Sequence, residues 1–393
     1  MPFVLPSSAL DTDEIALVLA FGKLSVLEAC TVLGRSVLRA EAPSERVSVL
    51  RVERLPIDSI RELSGIHKCA PLTSKVSSTS DDLSGLVDLV TSYLDEKSNF
   101  SLSGYDIGED DYEDLVRALL DGVRAAGLKK VRLLRPQDNE LISERVLARE
   151  ALDVVAFPYH DGFGLGPTVW VPDSASMRQR GTRKPTPHSD IALSPRLART
   201  LVNLADLRPG QTVLDPFCGS GTILIEAYGK SLRCLGLDSR ASRVQEAREN
   251  IRWSIGGATD RGYDVRKGDA RELTRMLRGS KVDAIVTEPL LLPRLDARPK
   301  TSTAQALVEE AAQVYNDALA SMADSIQSEG RIVVVVPVIQ TMDGDEVTLT
   351  LEGRKLGLRL YQPGPVGFEY PVRLSFESTR WIKRAVYVFE PRS

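Results

Sequence analysis

Apolar positions come in short blocks separated by turn residues. An apolar run over 15–21 predicts a strand, and Leu24, Leu27 and Val32 mark one face of a helix over 25–33. Alternation over 36–40 and 46–52, around Pro43 and Ser44, predicts two strands, and 57–65 predicts a second helix. These elements are consistent with a small ferredoxin-like unit over residues 1–75. A Ser-, Thr- and Asp-rich stretch over 76–84 predicts a linker. Helical spacing follows over 86–94, strand alternation over 99–105, and an amphipathic helix over 112–126. The acids Glu109, Asp110 and Asp111 stand at that helix's positive end and Gly127 at its C-terminal cap, before a strand over 130–134.

From residue 190 the pattern changes to short buried runs alternating with helical periods, as a doubly wound sheet requires. Strands are expected at 212–214, 234–238, 264–269, 282–287, 331–336, 347–351 and 383–389, with long helices over 241–255 and 304–327. Between the two regions, residues 158–189 show many glycines and prolines and few regular signals, and are expected to be a basic linker. Arg178, Arg180, Arg183 and Lys184 crowd this stretch without an acid among them, and Arg196 and Arg199 extend the patch. Such positive charge suits a phosphate backbone through counterion release, or a plain solvated linker.

Composition narrows the classes. A chain of 393 residues suggests two to three domains. No apolar run approaches membrane-spanning length and the N-terminus lacks the pattern of a signal peptide, so no membrane partner is expected. Cys30, Cys69, Cys218 and Cys234 form no C-x-x-C pair, and His67, His160 and His188 are dispersed, so neither a disulfide framework nor a metal site is expected and a cytoplasmic location is the default. The net charge of -4 weighs against nucleic acid as a partner, but local distribution decides more than the total.

The chemistry concentrates in Asp215-Pro-Phe-Cys-Gly-Ser-Gly-Thr222, between a buried strand and a helix. A dinucleotide fingerprint would need a third glycine where Leu224 stands, and Gly229-Lys-Ser231 lacks the first glycine of a phosphate loop. What remains is an acid, a Gly-x-Gly turn and a second acid, Asp238, on the next strand. That order suits a ligand with a ribose and an amino-acid end but no phosphates, such as S-adenosylmethionine.

The stretch 215–226 resembles the cofactor loop of class I S-adenosylmethionine-dependent methyltransferases, and among them those that methylate exocyclic amines of nucleic-acid bases. The segment 188–204 resembles the helix before that loop in the archaeal and eukaryotic tRNA guanosine N2-methyltransferases, which join a THUMP RNA-binding domain to the catalytic one. This implies an α/β fold: a Rossmann-like class I methyltransferase domain over 190–393, preceded by α+β domains, ferredoxin-like over 1–75 and THUMP-like over 76–157. It implies cofactor contacts at His188, Pro195, Asp215, Phe217, Cys218, Gly219, Ser220, Gly221, Thr222, Glu226, Asp238, Ser239, Asp269 and Ala270. It implies RNA contacts at Arg178, Arg180, Arg183, Lys184 and Arg196, tRNA as the partner and a small activator protein as a further one.

In that family an Asp or Asn followed by Pro-Pro and an aromatic closes the fourth strand. The acid or amide and the first proline's carbonyl accept hydrogen bonds from the amine, and the ring stacks on the flipped base. Here the tetrapeptide is Glu288-Pro289-Leu290-Leu291, so Glu288 and Pro289 are the expected catalytic pair and the aromatic is missing. The base stacking forfeited is worth about 1–3 kcal/mol. Three functions fit: a tRNA guanine-N2 methyltransferase, an adenine-N6 methyltransferase on rRNA or DNA, and a non-catalytic homologue that binds cofactor or RNA.

Overall fold

The structure is a computed structural model that describes residues 12–392 apart from 54–56, 78–83, 95–97, 149, 187–192, 258–261, 290–291, 294, 363–368 and 375–380. The chain divides at Ala175/Ser176 into two compact units.

In the first unit β1 (Glu14–Leu19), α1 (Lys23–Leu33), β2 (Val37–Glu41), β3 (Val47–Val52), α2 (Ile57–Ile60) and β4 (Ile66–Pro71) form an antiparallel sheet in the order β2-β3-β1-β4. That is the expected ferredoxin-like arrangement. Helix α2 stops after one turn, short of the expected 57–65, because the amides of Ser64 and Gly65 donate to the buried Glu28 carboxylate at 3.1 and 2.7 Å. The chain continues through β5 (Ser74–Ser77), α3 (Ser84–Tyr93), β6 (Asn99–Gly104), α4 (Glu109–Ala125), β7 (Arg132–Leu133), α5 (Ser143–Leu147), β8 (Leu152–Tyr159) and β9 (Gly162–Pro167), with sheet order β5-β9-β8-β6-β7.

Two expectations about boundaries change. The regions 1–75 and 76–157 share one core, in which Ala16, Val18 and Ala70 of the first sheet pack with Tyr105, Val155 and Phe157. Fully buried Lys68 and Asp153 also join them, at 2.8 Å. The stretch 158–189 is not a linker throughout. Strand β8 runs on to Tyr159 and pairs with β9, and α6 (Ser174–Thr182) follows. Glycines at 162, 164 and 166 hid this strand, and the backbone of Gly166 lies so close to Pro71 that a Cβ would fall 1.8 Å from its carbonyl oxygen.

The second unit holds α7 (Pro195–Leu204), β10 (Thr212–Asp215), α8 (Thr222–Tyr228), β11 (Arg233–Asp238), α9 (Ala241–Ser254), β12 (Tyr263–Lys267), α10 (Leu273–Met276), β13 (Val282–Thr287), α11 (Thr301–Ser325), β14 (Ile326–Gln340), β15 (Glu346–Thr348), β16 (Leu358–Leu360), β17 (Val372–Arg373) and β18 (Ile382–Pro391). The sheet order is β12-β11-β10-β13-β14-β18-β16. The first five strands are parallel, and β18 runs antiparallel to β14 and β16. This is the Rossmann-like class I methyltransferase order. Its core includes Leu214, Ile285, Ile332 and Val334 from the sheet and Tyr315, Leu319 and Met322 from α11. Strand β14 is longer than the expected 331–336. Beyond Val334, which pairs with Thr287 at the end of β13, it continues to Gln340 in register with the start of β18. The strand order reverses at β10, and in open α/β sheets ligands bind at the strand C-termini beside such a reversal.

Candidate cofactor and acceptor site

The loops after β10, β11, β12 and β13 enclose a cleft of about 450 Å³. Asp215, Asp238, Asp269 and Glu288, one acid from the end of each of four parallel strands, all line it. Asp215 and Asp238 are the last residues of β10 and β11, Glu288 directly follows β13 and Asp269 stands two residues beyond the edge strand β12, so all four sit where the chain turns out of the sheet.

Asp215 is buried, and its Oδ1 accepts from the Thr287 hydroxyl at 2.7 Å and the Phe217 amide at 3.1 Å. Burial pushes its carboxyl up to about 7, against the pull of those two donors and with a further push from Asp238 and Glu288. The turn that follows needs its glycines. Gly219 and Gly221 have φ of +51° and +84°, and a Cβ on Gly221 would stand 3.3 Å from the Ala247 Cβ of α9. Asp238 holds the turn from the next strand: its Oδ2 accepts from the Gly219 amide at 3.2 Å and its Oδ1 from the Arg240 amide at 2.9 Å. A carboxylate has about four lone-pair sites, so capacity remains for ribose hydroxyls. Asp269 caps the turn after β12 and pairs with Arg271, whose Nη2 lies 2.6 Å from its Oδ2 and holds its carboxyl below the usual range. Cys218 is buried and its thiol is pushed well above its ordinary value, mainly by burial, so it packs rather than reacts.

The fourth strand departs from simple expectation. Arg384 of β18 donates from Nε to Glu288 Oε1 at 2.5 Å, with both side chains largely buried. The hydroxyl of fully buried Tyr315 donates to the Pro289 carbonyl. Both acceptors expected to meet an exocyclic amine therefore already have a protein donor.

Phe217, Cys218, Gly219, Ser220, Thr222, Ser239 and Ala270 also line the cleft. Glu226 is not among the lining residues: its buried carboxylate takes both Arg180 Nε at 2.7 Å and Nη2 at 3.0 Å. Pro195 opens α7 as its first residue, next to Gly181, and is also outside the lining. His188, Leu290 and Leu291 lie outside the described residues. The basic patch splits. Arg178 and Arg183 are exposed, whereas Arg180 is turned to Glu226. Arg196 is half-buried, and Arg199 donates to the Glu226 carbonyl at 2.9 Å. Lys184 is 3% exposed and donates to Ser220 Oγ at 3.2 Å and Thr222 Oγ1 at 2.9 Å, so it belongs to the Gly-x-Gly loop rather than to an RNA-facing surface. Four residues that shape the site escaped the sequence: Thr287, Arg271, Tyr315 and Arg384. Thr287 adjoins the acid-Pro pair and was open to inference. Arg384 stands 96 positions from Glu288 and carries no local signal.

Residues 180–343 match the model of the RMKL-like methyltransferase domain family. The tRNA (guanine(10)-N2)-dimethyltransferase of Methanothermobacter thermautotrophicus is 36% identical over 146 residues, 37% of this chain and 39% of that protein. The enzyme of the same name from Pyrococcus abyssi is 34% identical over 172 residues, 44% of this chain and 46% of its own length. The chain thus matches less than half the length of these relatives. The crystal structure of TrmN from Thermus thermophilus has a TM-score of 0.54 at 20% identity and covers 96% of this chain and 99% of its own, a likeness of fold. That of SMU.472 complexed with SAH has a TM-score of 0.50 at 13% identity, over 97% and 98%. Among the described residues no helix is long and apolar enough to cross a membrane.

Proposed function

We propose that this chain is an S-adenosylmethionine-dependent RNA methyltransferase acting on the exocyclic N2 amine of a guanosine in tRNA. One observation carries this most: four acids at the ends of four consecutive parallel strands line a single cleft around the Gly-x-Gly turn of an RMKL-like methyltransferase domain. The residues fit the cofactor. Asp215 would take its ammonium, Asp238 its ribose hydroxyls and Asp269 its adenine amine, with Arg271 sharing that last carboxylate. Gly219 and Gly221 keep the turn clear of Cβ atoms. When bound, S-adenosylmethionine supplies an electrophilic methyl group.

The protein's own part is binding and orientation, which convert a bimolecular transfer into an effectively unimolecular one. An aniline-like base amine is a poor nucleophile because its lone pair delocalises into the ring. Hydrogen bonds to Glu288 Oε1 and to the Pro289 carbonyl favour a pyramidal nitrogen, and the Glu288 carboxylate is there to accept its proton as methylation acidifies it. Arg384 has to share or yield that carboxylate when the amine arrives. The guanine-N2 activity in the relatives' names and the exposed Arg178 and Arg183 support tRNA as the partner. A THUMP-like role for the second sheet of the first unit, a small activator protein and a cytoplasmic setting belong to the same proposal.

A second function is favoured by one finding. Arg384 and Tyr315 occupy both amine acceptors, as they would in a homologue that binds cofactor and RNA without transferring a methyl group. Mass spectrometry of nucleosides from tRNA incubated with the protein and cofactor separates the two. N2-methylguanosine is expected from wild type, none from Glu288→Ala, and cofactor affinity within about twofold in both, because Glu288 acts on the acceptor in the transition state. N6-methyladenosine would move the assignment to adenine. No product from wild type but product from Arg384→Gln would identify the guanidinium as a block on the acid.

A further inference from the structure

Lys184 is buried and forms no ion pair among the described residues. Two of its three N–H groups are directed to Ser220 Oγ and Thr222 Oγ1, hydroxyls of two residues that line the cleft together with Asp215. Its backbone is held in place two residues on. Thr186 donates from its amide and hydroxyl to Asn250 Oδ1, both at 3.0 Å, while Asn250 Nδ2 donates to the Ser220 carbonyl at 2.9 Å. Asn250 is itself fully buried, so strap, turn and α9 are tied through one side chain.

An ammonium group removed from water without a counter-charge is costly. Here burial lowers the Lys184 pKa to about 8, with no acid to oppose it. A group that served only to pin the turn would not need the charge, since a hydroxyl or amide could bond to Ser220 and Thr222. Lys184 is not itself among the residues that line the cleft, but it is bonded to two that are, and an ammonium left without a paired carboxylate among the described residues at that position points to a ligand that brings one.

We propose that Lys184 receives the carboxylate of the cofactor's amino-acid end, opposite in sign to the ammonium site at Asp215. This rests on S-adenosylmethionine being the ligand of the cleft. The hydroxyls of Ser220 and Thr222 accept from Lys184 and can turn their own protons toward the same carboxylate. The zwitterionic end is thereby matched charge for charge: acid from β10 to ammonium, base from the strap to carboxylate. The basic residue in the segment before the loop is then part of cofactor selection and not of the RNA surface.

The test uses calorimetric titration of the full chain with two ligands, S-adenosylmethionine and decarboxylated S-adenosylmethionine, which keeps the sulfonium, ribose, adenine and ammonium. Wild type is expected to favour the carboxylate-bearing ligand by about 10- to 100-fold, the range of one charge-assisted hydrogen bond. Lys184→Met should lose that margin and bind the decarboxylated ligand as wild type does, and Lys184→Arg should recover part of it. Unchanged binding of the decarboxylated ligand also shows that Lys184→Met is folded at the site. Equal losses for both ligands would make Lys184 a pin of the turn and overturn the inference. So would Lys184→Met binding S-adenosylmethionine like wild type. If wild type binds neither ligand, the cofactor assignment fails first and this inference with it.

Discussion

Asp215 shows how one buried carboxyl links the sheet to ligand binding. Its pKa of about 7 lies above that of an unfolded aspartate, near 3.9, so the native state holds the extra proton between those values. The sign follows. This group's contribution to stability declines as pH rises from about 4 to about 7 and is level above that. Ligand binding runs the other way, because only the ionised form pairs with an ammonium. Cofactor affinity is therefore expected to climb with pH through about 7, and to fall again above about 8 as Lys184 loses its proton. Thr287→Val removes a donor that favours the ionised form, so the rise should move to higher pH. Titrations at several pH values check this, and identical profiles for wild type and Thr287→Val would sink it.

At the scale of elements, the β10–turn–α8 unit depends on a backbone that only glycine adopts without strain. Gly221 caps α8 in the left-handed region, and an added Cβ would stand 3.3 Å from the Ala247 Cβ of α9, a tight contact. Gly221→Ala is expected to cost about 1–2 kcal/mol from the conformation alone, with crowding added. The melting temperature should fall by about 2–4 °C per kcal/mol for a unit of this size. Cofactor affinity should fall too, because Ser220 and Thr222, the neighbours of Gly221 that line the cleft, would shift with it. A variant with wild-type melting temperature and affinity would show that the turn tolerates the strain. The β14–β18 pair illustrates the opposite case. Its extension beyond the parallel strands is a long-range pairing, and it delivers Arg384 to Glu288.

On the scale of the whole molecule, a net charge of -4 leaves local basic surface to supply any RNA affinity. Of the residues in the 178–184 cluster, Arg178 and Arg183 are exposed while Arg180 and Lys184 are directed inward. Replacing Arg178 and Arg183 together with Ala is expected to weaken tRNA binding and reduce the slope of log affinity against log salt by at most about 2, on the order of one unit for each phosphate no longer neutralised. Arg180→Ala should leave that slope alone and lower stability, because it leaves Glu226 buried without its bidentate partner. Filter binding across a salt series and thermal melts separate the two effects, and an unchanged slope in the double variant would remove the segment from the RNA surface.

What the chain by itself determined is local. Apolar runs marked β10, β11 and β13, the glycine spacing marked the turn, and the acids at strand ends marked the cleft, because strand, turn and cap chemistry act over a few residues. The ferredoxin-like order of the first sheet was legible for the same reason, although β4 and the glycine-rich β9 were not. Tertiary structure alone decided which charges meet. A row of basic residues reads as one patch in sequence, but folding sends Arg180 to Glu226 and Lys184 to Ser220 and Thr222. It also brings Arg384 and Tyr315 onto Glu288 and Pro289 from elements far along the chain. Burial and pairing depend on neighbours contributed by distant elements, and no local pattern of residues encodes them.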